Sequence, residues 1–100
     1  MSRTLYFQQI TDSRFEPIEK CLPILQERIN KIKELLNIEG VNVKIEEPYM
    51  VDWRNTSENN IQYRVNFYVT KTTRKLTWND IYNLINSIKP VSYKFLQRSK

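Results

Sequence analysis

An α+β fold, with two helices on one face of a four-stranded antiparallel sheet, is what this chain predicts. Three observations carry the prediction. The hydrophobic period switches along the chain between two and about 3.6, so strand-like stretches alternate with helix-like ones. Breakers stand at the switches: the single glycine, Gly40, the polar run 54–60, and Pro90. The chain has 100 residues, 40% of them hydrophobic and 27% charged, which suits one modest core and not a disordered polymer.

Each element has its own signal. Residues 4–10, "TLYFQQI", mix aromatic and aliphatic residues without a breaker and read as a strand. "TDSR" turns the chain, and Ser13 with Glu16 has the spacing of a capping box. Ile18, Leu22, Leu25, Ile29, Ile32 and Leu36 then form one apolar stripe on a long helix. Pro17 suits its first turn. Pro23 removes a helical hydrogen bond, so a kink or a restart near Leu22 is expected. Gly40 reads as the helix stop.

From Val41 the period is two. Val41, Val43, Ile45, Tyr49, Val51 and Trp53 are expected on one face, interrupted at Glu46-Glu47-Pro48 by a bulge or edge irregularity. Ile61, Tyr63, Val65, Phe67 and Val69 make the clearest strand and pair antiparallel with the one before. Thr77 with Asp80 caps a second helix whose stripe is Trp78, Ile81, Ile85 and Ile88. Val91, Tyr93 and Phe95 read as a last strand, and 96–100 as a basic tail. The order βαββαβ in one domain, 1–100, is that of a ferredoxin-like sandwich. An α+β fold without the first strand is the alternative.

Charge is uneven. Residues 1–70 hold nine Lys or Arg and ten Asp or Glu, whereas 71–100 hold seven cations and one acid. The stretch "VTKTTRKLTW" puts Lys71, Arg74 and Lys75 within five positions. In the expected topology it meets Arg98 and Lys100 of the tail, with Arg3 beside them. Six cations at one end would attract a polyanion, helped by the free N–H groups of the following helix. A solvated polar turn is the bland alternative. The open sheet face is a second candidate. There Tyr6 and Tyr68 are expected side by side, flanked by Lys44, Arg64, Asn66 and Lys94, which is the chemistry of a single-strand stacking platform. The same tyrosines would also suit a sheet cover or a homodimer contact.

Much chemistry is excluded or disfavoured. The chain has no histidine, one cysteine and one glycine, so the commonest general base, ordinary zinc sites and glycine-rich phosphate loops are missing. Cys21 lies beside the helix stripe and reads as a buried thiol, not a nucleophile. Glu46 and Glu47 point to opposite faces, and Asp12 has no evident second metal ligand. No catalytic residue, cofactor or metal is expected. No apolar run reaches the roughly 18–20 residues of a membrane helix, and no signal-like segment opens the chain, so a cytoplasmic location is expected. The absence of alanine and the wealth of Ile, Asn and Lys suit an AT-rich genome such as many viruses and phages carry. The expected function is non-enzymatic binding of nucleic acid, or of an acidic or nucleoprotein partner, through the basic end. Its rivals are a viral or phage accessory protein that inhibits a host defence protein, and a small subunit of a larger assembly.

Overall fold

The computed structural model describes residues 3–88. The elements run β1 (Arg3–Asp12), α1 (Ile18–Leu35), β2 (Val41–Ile45), β3 (Tyr49–Asp52), β4 (Ile61–Lys71) and α2 (Trp78–Asn86). The described residues form an α+β fold, with a four-stranded antiparallel sheet and two helices. The sequence-predicted second strand is two strands here, and the predicted strand at 91–95 lies outside the described residues. β4 is central: it pairs with β1 on one side and with β2 and β3 on the other.

The core forms where the odd positions of β1 and β4 meet both helices. Phe7, Val65, Phe67 and Val69 pack with Leu25, Ile29, Ile32 and Leu36 of the first helix and its end, and with Ile81 and Ile85 of α2. Phe7 stacks on Phe67 with ring centroids 5.4 Å apart and meets the edge of Tyr82. Ile29, Ile32, Val65, Phe67 and Ile85 are thus buried together, while Phe95 of the expected last strand lies outside the described residues.

Several local expectations fail for identifiable reasons. The Ser13–Glu16 capping box does not form. Ser13 Oγ accepts instead from the Ile61 amide, and α1 begins at Ile18 after Pro17. The helix then runs unbroken through Pro23, without a restart. Its seam takes Cys21 in place of Leu22 and Ile18, and leaves Ile18 46% exposed. Gly40 is not the helix cap, since α1 ends at Leu35 and Leu36 is its C-cap. It has φ +86° in the turn before β2, and a Cβ there would lie 2.5 Å from Thr73 Cβ. Glycine is thus required twice over, by conformation and by contact.

The interruption at Glu46-Glu47-Pro48 is a bulge with a consequence for facing. Ile45 lies opposite Phe67 but Tyr49 opposite Arg64, so three residues oppose two. One extra residue inverts the alternation. Val41, Val43 and Ile45 share the helix-facing rows of Lys71, Val69 and Phe67. Tyr49 and Val51 share the rows of Arg64 and Gln62, on the open face. The expectation that all odd positions from 41 to 53 face the helices holds only before the bulge.

Candidate functional site

The open face is built from even positions of β1 and β4, with Asn42 and Lys44 before the bulge and Tyr49 and Val51 after it. Its rows are fixed by strand register. Thr4 lies beside Thr70, Tyr6 beside Tyr68, Gln8 beside Asn66, Ile10 beside Arg64 and Asp12 beside Gln62. Lys44 extends the tyrosine row and Tyr49 the arginine row. The Tyr6 and Tyr68 rings lie 5.5 Å apart at 53°, and Tyr6 is 48% exposed. Sequence reasoning placed this pair correctly, with Lys44, Arg64 and Asn66 around it. It missed Tyr49, which the bulge brings to this face. Lys94 lies outside the described residues.

A hydrogen-bond network holds the face in shape. Tyr6 Oη donates to Asn66 Oδ1 at 2.9 Å, and Gln8 Nε2 donates to Asn66 Oδ1 at 2.7 Å and to Tyr49 Oη at 2.9 Å. Burial, helped by the phenols of Tyr49 and Tyr68, raises the Tyr6 hydroxyl above its ordinary pKa. It therefore stays protonated and keeps donating. The Thr4 and Thr70 hydroxyls bond at 2.7 Å. Arg64 is half-buried and its Nε donates to Gln62 Oε1 at 3.0 Å, so its charge is partly committed. Lys44 is exposed.

The basic end lies beyond the threonine row. Arg3 lies opposite Lys71, one residue on and so in a helix-facing row. The Lys71 side chain does not project freely. Its Nζ donates to the Thr73 carbonyl at 2.9 Å and sits 5.8 Å from the Trp78 ring centroid. The threonines of the stretch are scaffold. The Thr72 amide bonds the Gly40 carbonyl at 2.8 Å, Thr73 Oγ1 accepts from the Lys75 amide at 3.1 Å, and Thr77 forms a capping box with Asp80. That Asp80 carboxylate occupies the Thr77 amide, so the helix start is already supplied with an anion. Arg74 and Lys75 remain with exposed side chains. Glu39 lines the same shallow groove as Lys75 and Thr73, and offsets part of the charge. Of the six cations expected to converge, Arg3 and Lys71 are adjacent and Arg74 and Lys75 follow in the turn. Arg98 and Lys100 lie outside the described residues.

The opposite end spends its charges on itself. Asp12 is buried, and its carboxylate accepts from five donors: the Arg14 amide, Nε and Nη2, Asn60 Nδ2 and Gln62 Nε2. Burial opposes its charge, but these hydrogen bonds prevail and hold its pKa at about 2. Asp52 repeats the clasp at the end of β3. Arg54 gives it the backbone amide, Nε and Nη2, and its pKa too is lowered to about 2. Sequence reasoning weighed Asp12 as a metal ligand and missed the clasp, whose signal was an Asp-x-Arg at each of two strand ends. Among the described residues no group of three or more Asp, Glu, Cys or His could hold a metal. Cys21 is fully buried, and burial raises its thiol pKa, as expected of an inert thiol. No described helix is long and apolar enough to cross a membrane. Comparison with family models, with curated proteins and with solved structures finds no match.

Proposed function

We propose that this is a non-enzymatic binding protein that takes single-stranded nucleic acid along its open sheet face and into its basic end. The observation that carries the reading is continuity. The Tyr6–Tyr68–Lys44 row lies on the open face with Lys44 exposed, and β4, which carries Tyr68, runs on into the turn where Arg74 and Lys75 keep exposed side chains. From Tyr68 to the end of β4 at Lys71 is roughly 10 Å at ~3.3 Å per residue. Rings that stack on bases thus lead directly to cations that meet phosphates, the two ingredients of sequence-tolerant single-strand binding. The fold reading that accompanies it is ferredoxin-like, supported by the strand order β1-β4-β2 with both helices on one face. Relative to the sequence-based expectation, the emphasis moves from the turn to the face. Lys71 is engaged in the scaffold, whereas Tyr6 is presented to solvent.

The test is fluorescence anisotropy with labelled single-stranded and duplex oligonucleotides at low salt. The proposal expects single strands to bind more tightly than duplexes, and Tyr6→Ala to weaken them by about tenfold, the range of one lost base stack. Equal binding of duplex and single strand, unaffected by Tyr6→Ala, would leave only a basic surface. A pull-down from host cells with and without nuclease addresses the rival, a protein target. A partner retained after nuclease treatment, on a surface blocked by Tyr6→Ala, would replace nucleic acid with a host protein on the same face.

A further inference from the structure

At the far end of the open face a cleft of about 210 Å³ is lined by Arg14, Trp53, Glu58, Asn60 and Gln62. It is smaller than the roughly 300–1,000 Å³ of ordinary ligand pockets, which suits one ring system and not a peptide. Asn60 is 2% exposed. Its Nδ2 donates to Asp12 Oδ1 at 2.9 Å, which fixes the amide so that Oδ1 is the acceptor, and that buried Oδ1 has no hydrogen-bond partner. A buried carbonyl left without a donor is costly and calls for an explanation. Glu58 adds a second acceptor, with one oxygen on Arg14 Nη1 at 2.9 Å and a half-exposed side chain. Trp53 supplies an aromatic wall, and its amide bonds the Asn60 carbonyl at 2.7 Å, tying that wall to the rim.

We infer that this cleft receives one nucleobase of the bound strand, stacked on Trp53, with an exocyclic amine directed to Asn60 Oδ1 and Glu58. The inference rests on the nucleic-acid reading above and adds base preference to it. Three features point to this occupant. The acceptors outnumber the free donors, because Arg14 is committed to Asp12 and Glu58. The guanidinium on the rim disfavours a second cation, so a neutral amine fits better than a lysine or arginine of a protein partner. The clasp on Asp12 holds Arg14, Asn60 and Gln62 in place before any ligand arrives, so little ordering is lost on binding. Adenine, cytosine and guanine each present an exocyclic amine. Uracil presents carbonyls there, which would face the acceptors unpaired.

The test uses the full chain and labelled single strands of about ten nucleotides, within the span of small single-strand modules. Oligoadenylate and oligocytidylate should bind at least about threefold more tightly than oligouridylate. Trp53→Leu should lower adenylate and cytidylate affinity by about tenfold and uridylate affinity little. Glu58→Gln, an exposed and shape-conserving change, should reduce the preference in the same direction should Trp53→Leu fold poorly. Equal affinities for the three homopolymers in wild type, or a preference untouched by both variants, overturns the cleft and leaves the sheet-face reading standing. Failure of every oligonucleotide to bind wild type overturns both. A shift of the Asn60 side-chain amide resonance with an arginine-rich peptide, and none with adenosine monophosphate, overturns the nucleobase in favour of a protein cation.

Discussion

The two ends of the sheet use charge in opposite ways. At the Asp12 end, the charges of Asp12, Arg14 and Glu58 satisfy one another, Asn60 Nδ2 donates to Asp12, and these groups serve mainly to close a loop onto the ends of two strands. At the Arg3 end, threonines and Gly40 close the turn with neutral bonds, and Arg74 and Lys75 keep exposed side chains. Both ends read as polar turns in the sequence, "TDSR" and "KTTRK". The difference is which side chains face a buried acceptor. Charges that do are structure, and substituting them should unfold the protein. Charges that do not are available to a partner, and substituting them should spare the fold.

The largest effects should come from the self-satisfied end. Asp12→Ala strands the Asn60 and Gln62 amides and takes from Arg14 its buried partner, leaving it Glu58. It should cost about 3 kcal/mol in urea or guanidinium unfolding, as breaking a buried ion pair does. A loss under about 0.5 kcal/mol, the range of surface changes, would show that the clasp is dispensable and erase the contrast between the ends.

Acid should reveal the same clasp. Asp12 has a folded pKa of about 2, below its ordinary 3.8. The depressed value means its contribution is complete above about pH 4 and is lost as pH falls through 2. Between pH 5 and pH 2, wild type should lose about 2 kcal/mol of its advantage over Asp12→Asn. A pH-independent difference between the two proteins would assign the stability to packing instead.

The turn end should be sensitive through its glycine, not its cations. Gly40→Ala forces a Cβ into Thr73 at a positive φ and should cost about 1–2 kcal/mol, a cost that removal of the Thr73 side-chain branch in Thr73→Gly should partly relieve. Lys71→Ala should cost less, about 0.5–1 kcal/mol, through the lost contact with Trp78. Arg74→Glu with Lys75→Glu should change stability by no more than about 0.5 kcal/mol. A larger loss from that pair would make the turn cations structural and bring the two ends into line.

The layered architecture was legible because hydrophobic period survives single-residue irregularities over a long element. The 61–69 alternation and the 25–36 stripe both became core, and Tyr6 met Tyr68 as their places in the strands implied. What stayed hidden hangs on discrete choices of one or two residues. The bulge at 46–48 was visible as an interruption, but its length alone decides whether Tyr49 faces the helices or the open side. Ser13 had the spacing of a cap, yet the Ile61 amide offered it a better-placed partner from another strand. Asp12 looked like turn chemistry because its Asn60 and Gln62 donors lie 48 and 50 positions away. Lys71 counted as a turn cation until strand β4 proved to run through it and Trp78 proved to lie beneath it.

If stacking rings on the sheet lead into cations at one end, a salt titration of oligonucleotide binding separates the two contributions in three proteins. These are wild type, Tyr6→Ala, and Arg74→Glu with Lys75→Glu. Binding by wild type should fall as salt rises, because cations on phosphates release counterions. The charge reversal should make that slope shallower by about 1 to 2, whereas Tyr6→Ala should lower affinity at every salt concentration and leave the slope unchanged, since stacking is not screened. Parallel lines for wild type and the charge reversal, with Tyr6→Ala superimposed on wild type, would mean that neither the rings nor the turn cations meet the strand.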